Sequence, residues 1–220
     1  MRQIVIFGTG DMADVAHAYF TQDSAFDVVA FTVDRDHVTA DQHRGLPLVA
    51  FDEVVRHYPP DRFAMFVAVL WRRMNAIRAE RYRQAKDLGY ELVSYVASTA
   101  DVSPDVTIGD NCYVGRGNII EPFTTIGSDV TIWSGCQIGH GSSIGDHTFI
   151  ASHAVVAGDV TIEPHCFIGL NATIRDSVTI ARECVVGAGT VILRNTRERQ
   201  VFVASSTRLL PTNSDRLPSM

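Results

Sequence analysis

From Val102 to Ile192 every sixth residue is Ile or Val: Val102, Ile108, Val114, Ile120, Ile126, Ile132, Ile138, Ile144, Ile150, Val156, Ile162, Ile168, Ile174, Ile180, Val186 and Ile192. The sixteen positions hold without a slip. Gly often follows the aliphatic residue, as at Gly109, Gly127, Gly139 and Gly169, and the residue two before it is usually small, as at Thr124, Ser142, Ala154 and Ala172. A period of six keeps no face of an α-helix, so helix is excluded. The pattern predicts a solenoid of short strands and tight turns. β-Branched side chains fill its interior, Gly and small residues sit at its bends, and stacked units share a core that none could build alone.

The first hundred residues follow another pattern. Arg2 to Phe7 is a buried-strand run, followed by Gly8-Thr9-Gly10-Asp11-Met12-Ala13 and a helix-like stretch through Phe20. Strands are expected over 27–33, 46–50, 62–70 and 91–97, and helices near 52–57 and over 73–88. This alternation predicts a small parallel sheet with helices on its faces, a Rossmann-like α/β fold. The period changes near Ser98, which divides the chain into an α/β domain over 1–97, a solenoid over 98–203 and a C-terminal tail over 204–220.

Charge narrows the function classes. The net charge is −6 and no block of Lys or Arg forms a patch, so a nucleic-acid partner is not expected. The apolar run Ile4 to Phe7 stops at Gly8, too short for a signal segment or a membrane span; the expected location is the cytoplasm. Cys112, Cys136, Cys166 and Cys184 form no C-x-x-C pair, and each lies two residues before a repeat aliphatic. They read as small inward-facing fillers, not as ligands, disulfides or nucleophiles.

Two motifs carry candidate chemistry. Gly8-x-Gly10-x-x-Ala13 after a first strand can present backbone N–H groups and a helix N-terminus to an anion, and Asp34 closes the second strand where an acid can meet a ribose or base edge. The same residues would also serve a plain tight βα turn. Hydride chemistry is not expected, since about a hundred residues are half of the usual dinucleotide fold. In the solenoid, His147 and His165 are eighteen residues apart and share a column with Asp129 and Glu183, which predicts a surface ladder of polar turn residues. His140 follows Gly139 in a turn, where its side chain can leave the coil and act as a base near neutrality.

The G-x-G-x-x-A turn, the hexapeptide solenoid and a His just beyond a repeat Ile and its Gly together resemble the sialic-acid O-acetyltransferase / bacillosamine N-acetyltransferase group of hexapeptide-repeat sugar acyltransferases, over about Arg2 to Val203. The resemblance implies a left-handed parallel β-helix, a homotrimer, a nucleotide-linked sugar as acceptor, and acetyl-CoA or another acyl-CoA as co-substrate without a metal. It implies that His140 is the catalytic base and that Gly8, Thr9, Gly10, Asp34 and Asp36 hold the sugar nucleotide. Coenzyme A would lie along the solenoid at the trimer interface, touching Gly158, Leu170 and Ala188.

The chain departs from that family at several points. Gly141 stands where an acid often follows the His, leaving Asp146 or a backbone carbonyl to orient His140. Phe149 stands where a second His meets the acetyl group, with His147 and His153 as substitutes. Trp133 replaces an Asn near the acceptor, either to stack on a sugar or to cap the coil edge. The fourth-strand exit, small and Gly-containing in the family, is Val69-Leu70-Trp71-Arg72-Arg73, and Val203-Ala204-Ser205-Ser206 replaces a Gly-x-Pro-Ala motif. These changes leave N- versus O-acylation, the sugar, the nucleotide and the acyl length open. Two other readings are a non-catalytic sugar-nucleotide-binding or scaffolding protein, and a zinc lyase of the hexapeptide carbonic-anhydrase type. The lyase needs a closer His pair than the gaps of 7, 6 and 12 residues between His140, His147, His153 and His165 provide.

Overall fold

The computed structural model describes residues 1–206 and Pro211; of the tail expected over 204–220, residues 207–210 and 212–220 lie outside the described residues. The chain opens with β1 (Arg2–Phe7), α1 (Asp11–Gln22), β2 (Phe26–Val33), β3 (Gln42–His43), β4 (Leu46–Ala50), α2 (Val54–His57), β5 (Ala64–Val67) and α3 (Ala76–Asp87). The sheet order is β3-β4-β2-β1-β5. All pairings are parallel except that of the short edge strand β3, which the sequence pattern does not mark. Interior strand β1 carries Ile4, Val5 and Ile6, all fully buried, because helices cover both sheet faces.

The run expected as one strand over 91–97 divides instead. Leu92 bridges to Met65 at the edge of the α/β sheet, while Tyr95–Val96 pairs with Tyr113–Val114 as the first rung of the solenoid. From there the two-residue strands form three parallel sheets, each strand pairing with the one eighteen residues on, as Ile119 with Gln137, except that Val185–Val186 pairs with Val201–Phe202. The first face runs from Tyr95–Val96 to Val201–Phe202, the second from Asp101–Val102 to Val191–Ile192, and the third from Thr107–Ile108 to Thr179–Ile180. The repeat aliphatics point inward and are buried from Val114 to Ile192; Val102 and Ile108, at the open end, are only partly covered. Each buried Ile contributes about 1.5–3 kcal/mol.

Every edge of this prism bends at a left-handed residue, and Gly, Asn, Asp and His occupy most such positions, among them Gly135, Gly141, Asn111, Asp129 and His147. The four cysteines are buried and unpaired among the interior residues. Their thiols donate to carbonyls one coil away, Cys112 to Gly127 at 3.0 Å and Cys136 to Ala151 at 3.1 Å.

The α/β domain lies on the first face, whose outward residues Tyr95, Tyr113, Thr131 and Phe149 are buried in consequence. Helix α3 covers the edge between the third and first faces. Its Arg78 is fully buried: Nε donates to Asp129 Oδ2 at 3.1 Å, Nη1 to Thr131 Oγ1 at 2.7 Å, and Nη2 to the Asp129 and Thr148 carbonyls at 2.6 and 3.2 Å. His147 Nδ1 lies 2.8 Å from the same Asp129 oxygen, and the rings of His147 and His165 are 4.8 Å apart. The column expected as a surface ladder is therefore covered at Asp129 and His147, because a helix from the other domain packs over it. Eighteen-residue spacing brings the column together but carries no sign of that cover.

Removing one member of a buried ion pair leaves the other charged and unmatched. Arg78→Ala is expected to lower stability by about 3–5 kcal/mol in urea unfolding. A second expectation concerns acid. Burial first, and the neighbouring His147 ring second, hold His165 below the ordinary imidazole value of 6.5. Its contribution to stability is complete above pH 6.5 and is lost as the pH falls through the lowered value. The melting temperature should fall on acidification from about pH 7 to pH 5, and fall less in His165→Asn; Asp14 and Glu183, held below ordinary carboxylate values, titrate under this window.

Candidate active site

His140 stands at the edge between the second and third faces, flanked by Gly139 and Gly141, with 61 % of its side chain exposed. Gly141 takes the left-handed turn of this edge with φ +66°, and the Asp159 carboxylate of the next coil lies over it, so no acid follows the His directly. The orienting carboxylate comes from the coil below. Glu121 Oε2 accepts the His140 backbone N–H at 2.9 Å and lies 3.3 Å from His140 Nδ1. The Glu121 carboxyl is held below its ordinary value by the His140 backbone N–H, then by Gln137 and by the His140 ring. With Nδ1 donating to Glu121, Nε2 keeps its lone pair for solvent or substrate. Above the ring, a Cβ on Gly158 would stand 2.6 Å from His140 Cε1 and 2.8 Å from Nε2. Glycine is what lets the imidazole lie flat on the next coil.

Asp146 does not take the orienting role. It lies at another edge, where Oδ1 accepts the Ser128 N–H at 2.7 Å. Glu121 was missed because the relation spans nineteen residues, one coil plus one. The same relation recurs where Glu163 accepts the Arg182 N–H at 2.8 Å, so an acid nineteen residues before an edge residue is a readable signal once the coil length is known.

A cleft of about 490 Å³ opens in the α/β domain over the Gly8–Gly10 turn. Gly8, Gly10 and Asp34 line it with Leu70, Arg72 and Arg81; Thr9 and Asp36 are not among its lining residues. Gly8 is required by its backbone, with φ +126° and space for a Cβ only 2.6 Å from the Ala68 carbonyl. Asp34 is not a free acid, because Arg81 Nη2 donates to it at 2.9 Å. Arg72 and Arg81, on the loop after β5 and on α3, were not singled out from the sequence.

The remaining candidates fall elsewhere. Trp133 packs partly buried between the rings of Tyr113 and Phe149, at 5.5 and 6.5 Å, and Phe149 is buried and stacks on Phe167. Gly158 lies at one edge of the second face, while Leu170 and Ala188 share a column at its other edge, with Leu170 52 % exposed. His153 lies over Gly135 on that same edge and His147 is turned to Asp129, so neither is beside His140. The four solenoid histidines thus occupy three different edges, and no three His, Cys, Asp or Glu among the described residues group as metal ligands.

Residues 123–158 match the family model described as bacterial transferase hexapeptide (six repeats), and residues 159–194 match the hexapeptide repeat of succinyl-transferase. The solenoid is a left-handed parallel β-helix of hexapeptide repeats, and with its preceding α/β sheet it defines a hexapeptide-repeat acyltransferase fold. PerB, a perosamine N-acetyltransferase from Caulobacter crescentus solved with CoA and GDP-perosamine, is 27 % identical, with a TM-score of 0.80 over 90 % of this chain and 92 % of that one. The acetyltransferase domain of PglB from Neisseria gonorrhoeae shares the fold at 23 % identity, a TM-score of 0.78, and 91 % and 96 % coverage. WeeI from Acinetobacter baumannii shares it at 19 % identity, a TM-score of 0.76, and 94 % and 100 % coverage. No curated protein sequence matches the chain.

The contact between Gly158 and the His140 ring can be tested directly. In Gly158→Ala the exposed ring, not the coil, should yield. The His140 imidazole resonances are expected to shift in NMR spectra, while the melting temperature stays within about 2 °C of the parent.

Proposed function

We propose that this protein transfers an acyl group from a CoA thioester to the amine of a nucleotide-linked sugar, with His140 as general base. The observation that carries the reading is the exposed imidazole whose Nδ1 is fixed by Glu121 while Nε2 is open. The likeness to a perosamine N-acetyltransferase supports it, as that relative was also solved with CoA and GDP-perosamine after replacement of one histidine.

In this mechanism His140 Nε2 takes a proton from the sugar amine as its nitrogen attacks the thioester carbonyl. A backbone N–H of the solenoid steadies the developing oxyanion. The tetrahedral intermediate collapses with loss of the coenzyme thiolate, which recovers the proton from the imidazolium. Glu121 keeps the ring in one tautomer and steadies its charged form. A covalent acyl-enzyme is not part of the scheme. Burial pushes the thiols of Cys112 and Cys166 up to about 12 and that of Cys136 up to about 11, so none offers a thiolate near neutrality.

The sugar nucleotide would occupy the Gly8–Gly10 cleft, and the coenzyme would run along the second face past Gly158, Leu170 and Ala188. The α/β domain lies on the first face, whereas His140 stands at the edge of the second and third. This placement supports a homotrimer in which a second copy of the chain brings a base to the cleft. Ile119, Val155 and Val191 are exposed along the second face, alternating with Gln137 and Thr173, a mixed surface that assembly could cover. The proposed location is the cytoplasm; among the described residues no helix is long and apolar enough to cross a membrane. The non-catalytic alternative rests on the missing acid after His140 and on the altered Val203-Ala204-Ser205-Ser206 motif; Glu121 answers the first of these.

Acyl-CoAs screened against a panel of nucleotide-linked amino-sugars should reveal CoA release that depends on one of the sugars. His140→Ala should reduce kcat by about 10²–10⁴-fold and leave nucleotide-sugar binding intact. Near-full transfer by that variant would remove His140 from the chemistry.

A further inference from the structure

The loop after β5 is held in an unfavourable conformation. Arg73, Met74 and Asn75 are consecutive left-handed residues, with φ of 51°, 53° and 61°. Non-glycine residues in this region are strained and persist only where their surroundings impose them. Here the imposition comes from the solenoid. Asn75 is fully buried and donates to the Cys166 carbonyl at 3.3 Å, and its Oδ1 is buried without a partner. What the loop presents is Trp71. Its neighbours Leu70 and Arg72 line the cleft, while the indole lies across the gap onto the solenoid, 4.5 Å from the Phe167 ring. Phe167 is itself stacked on Phe149 at 5.4 Å and 11°. The wall is rigid behind, yet Trp71 remains 45 % exposed.

We propose that Trp71 is the platform on which the pyranose of the nucleotide-linked sugar stacks as it leaves the cleft, with Arg72 beside its diphosphate. This deepens the acyltransferase reading and rests on it. A pyranose presents a C–H face that suits the flat, electron-rich indole, while its hydroxyl and amine groups stay free at the rim. Arg72 has no carboxylate partner among the described ion pairs and lines the cleft together with Gly8 and Gly10. Trp71 then discriminates sugar from nucleotide. It should matter for nucleotide-linked sugars and be indifferent to the nucleotide alone.

The test compares UDP-, GDP- and dTDP-linked amino-sugars with the free diphosphates by calorimetry, by KM and kcat, and by intrinsic fluorescence. For the nucleotide that the parent protein accepts, Trp71→Ala should weaken binding of the linked sugar and raise its KM by about tenfold, with the free diphosphate bound as before. Trp71→Phe should recover most of the affinity. The linked sugar should quench the parent's fluorescence, and the free diphosphate should not; Trp71→Phe should bind the sugar without that quenching. Equal loss of sugar and diphosphate binding in Trp71→Ala would make the residue a structural strut, and no loss of either would make it a bystander; both overturn the proposal. If the parent transfers acyl groups normally and Trp71→Ala does so with unchanged KM, the platform alone falls. If the parent binds no nucleotide-linked sugar, the acyltransferase reading falls with it.

Discussion

The carboxylate of Asp129 is fully buried, and donors from three parts of the chain close on it. Arg78 approaches from helix α3, His147 from the next coil above and Asn111 from the coil below, the last at 2.6 Å. Asn111 also accepts the Val67 N–H at 2.7 Å, so the end of β5 is tied to the same point. Ala68, Val69, Leu70 and Arg72, which wall the cleft, follow directly from β5, and Arg81 lies one helical turn beyond Arg78. A charge this deeply buried tolerates little misplacement, since every lost partner leaves desolvation unopposed. The cleft is therefore held in fixed relation to the coil stack, although the two halves have separate cores.

The second constraint is the coil length. Because each coil returns after eighteen residues, groups far apart in sequence become neighbours at each edge. Glu121, His140 and Gly158 are three successive tenants of one edge: an acid, the imidazole it orients, and the glycine on which the ring lies. An exposed pair of this kind adds little to stability. Its effect is on tautomer and direction, which are what a base needs.

The solenoid was legible because one residue type recurs at one period, and the interior of a β-helix admits little else. The cysteines were legible for the same reason: their phase against the repeat aliphatics sets them inside. The Gly8–Gly10 turn was also readable, and Gly8 has a backbone that only glycine adopts without strain. What could not be read were contacts that depend on coil register or on the docking of one half against the other. Glu121 lies nineteen residues from His140, and Asp146, nearer in sequence, faces another edge. The ladder through Asp129 looked like surface because its cover, Arg78, belongs to a helix whose polar sequence gave no sign of burial. The stretch over 91–97 looked like one strand, yet it serves two sheets in turn.

The cleft and the base stand on different sides of one chain, and their cooperation across a boundary between copies is the central physical claim. It is tested by co-assembling two variants. His140→Ala keeps an intact cleft, while Gly10→Trp fills the cleft from a position where an added Cβ meets nothing within 4 Å. Each variant alone should fail to transfer acyl groups, whereas an equal mixture co-assembled as the proposed trimer should regain about a quarter of the parental activity, the share of boundaries that pair a sound cleft with a sound base. Mixed trimers that remain inactive would contradict the account.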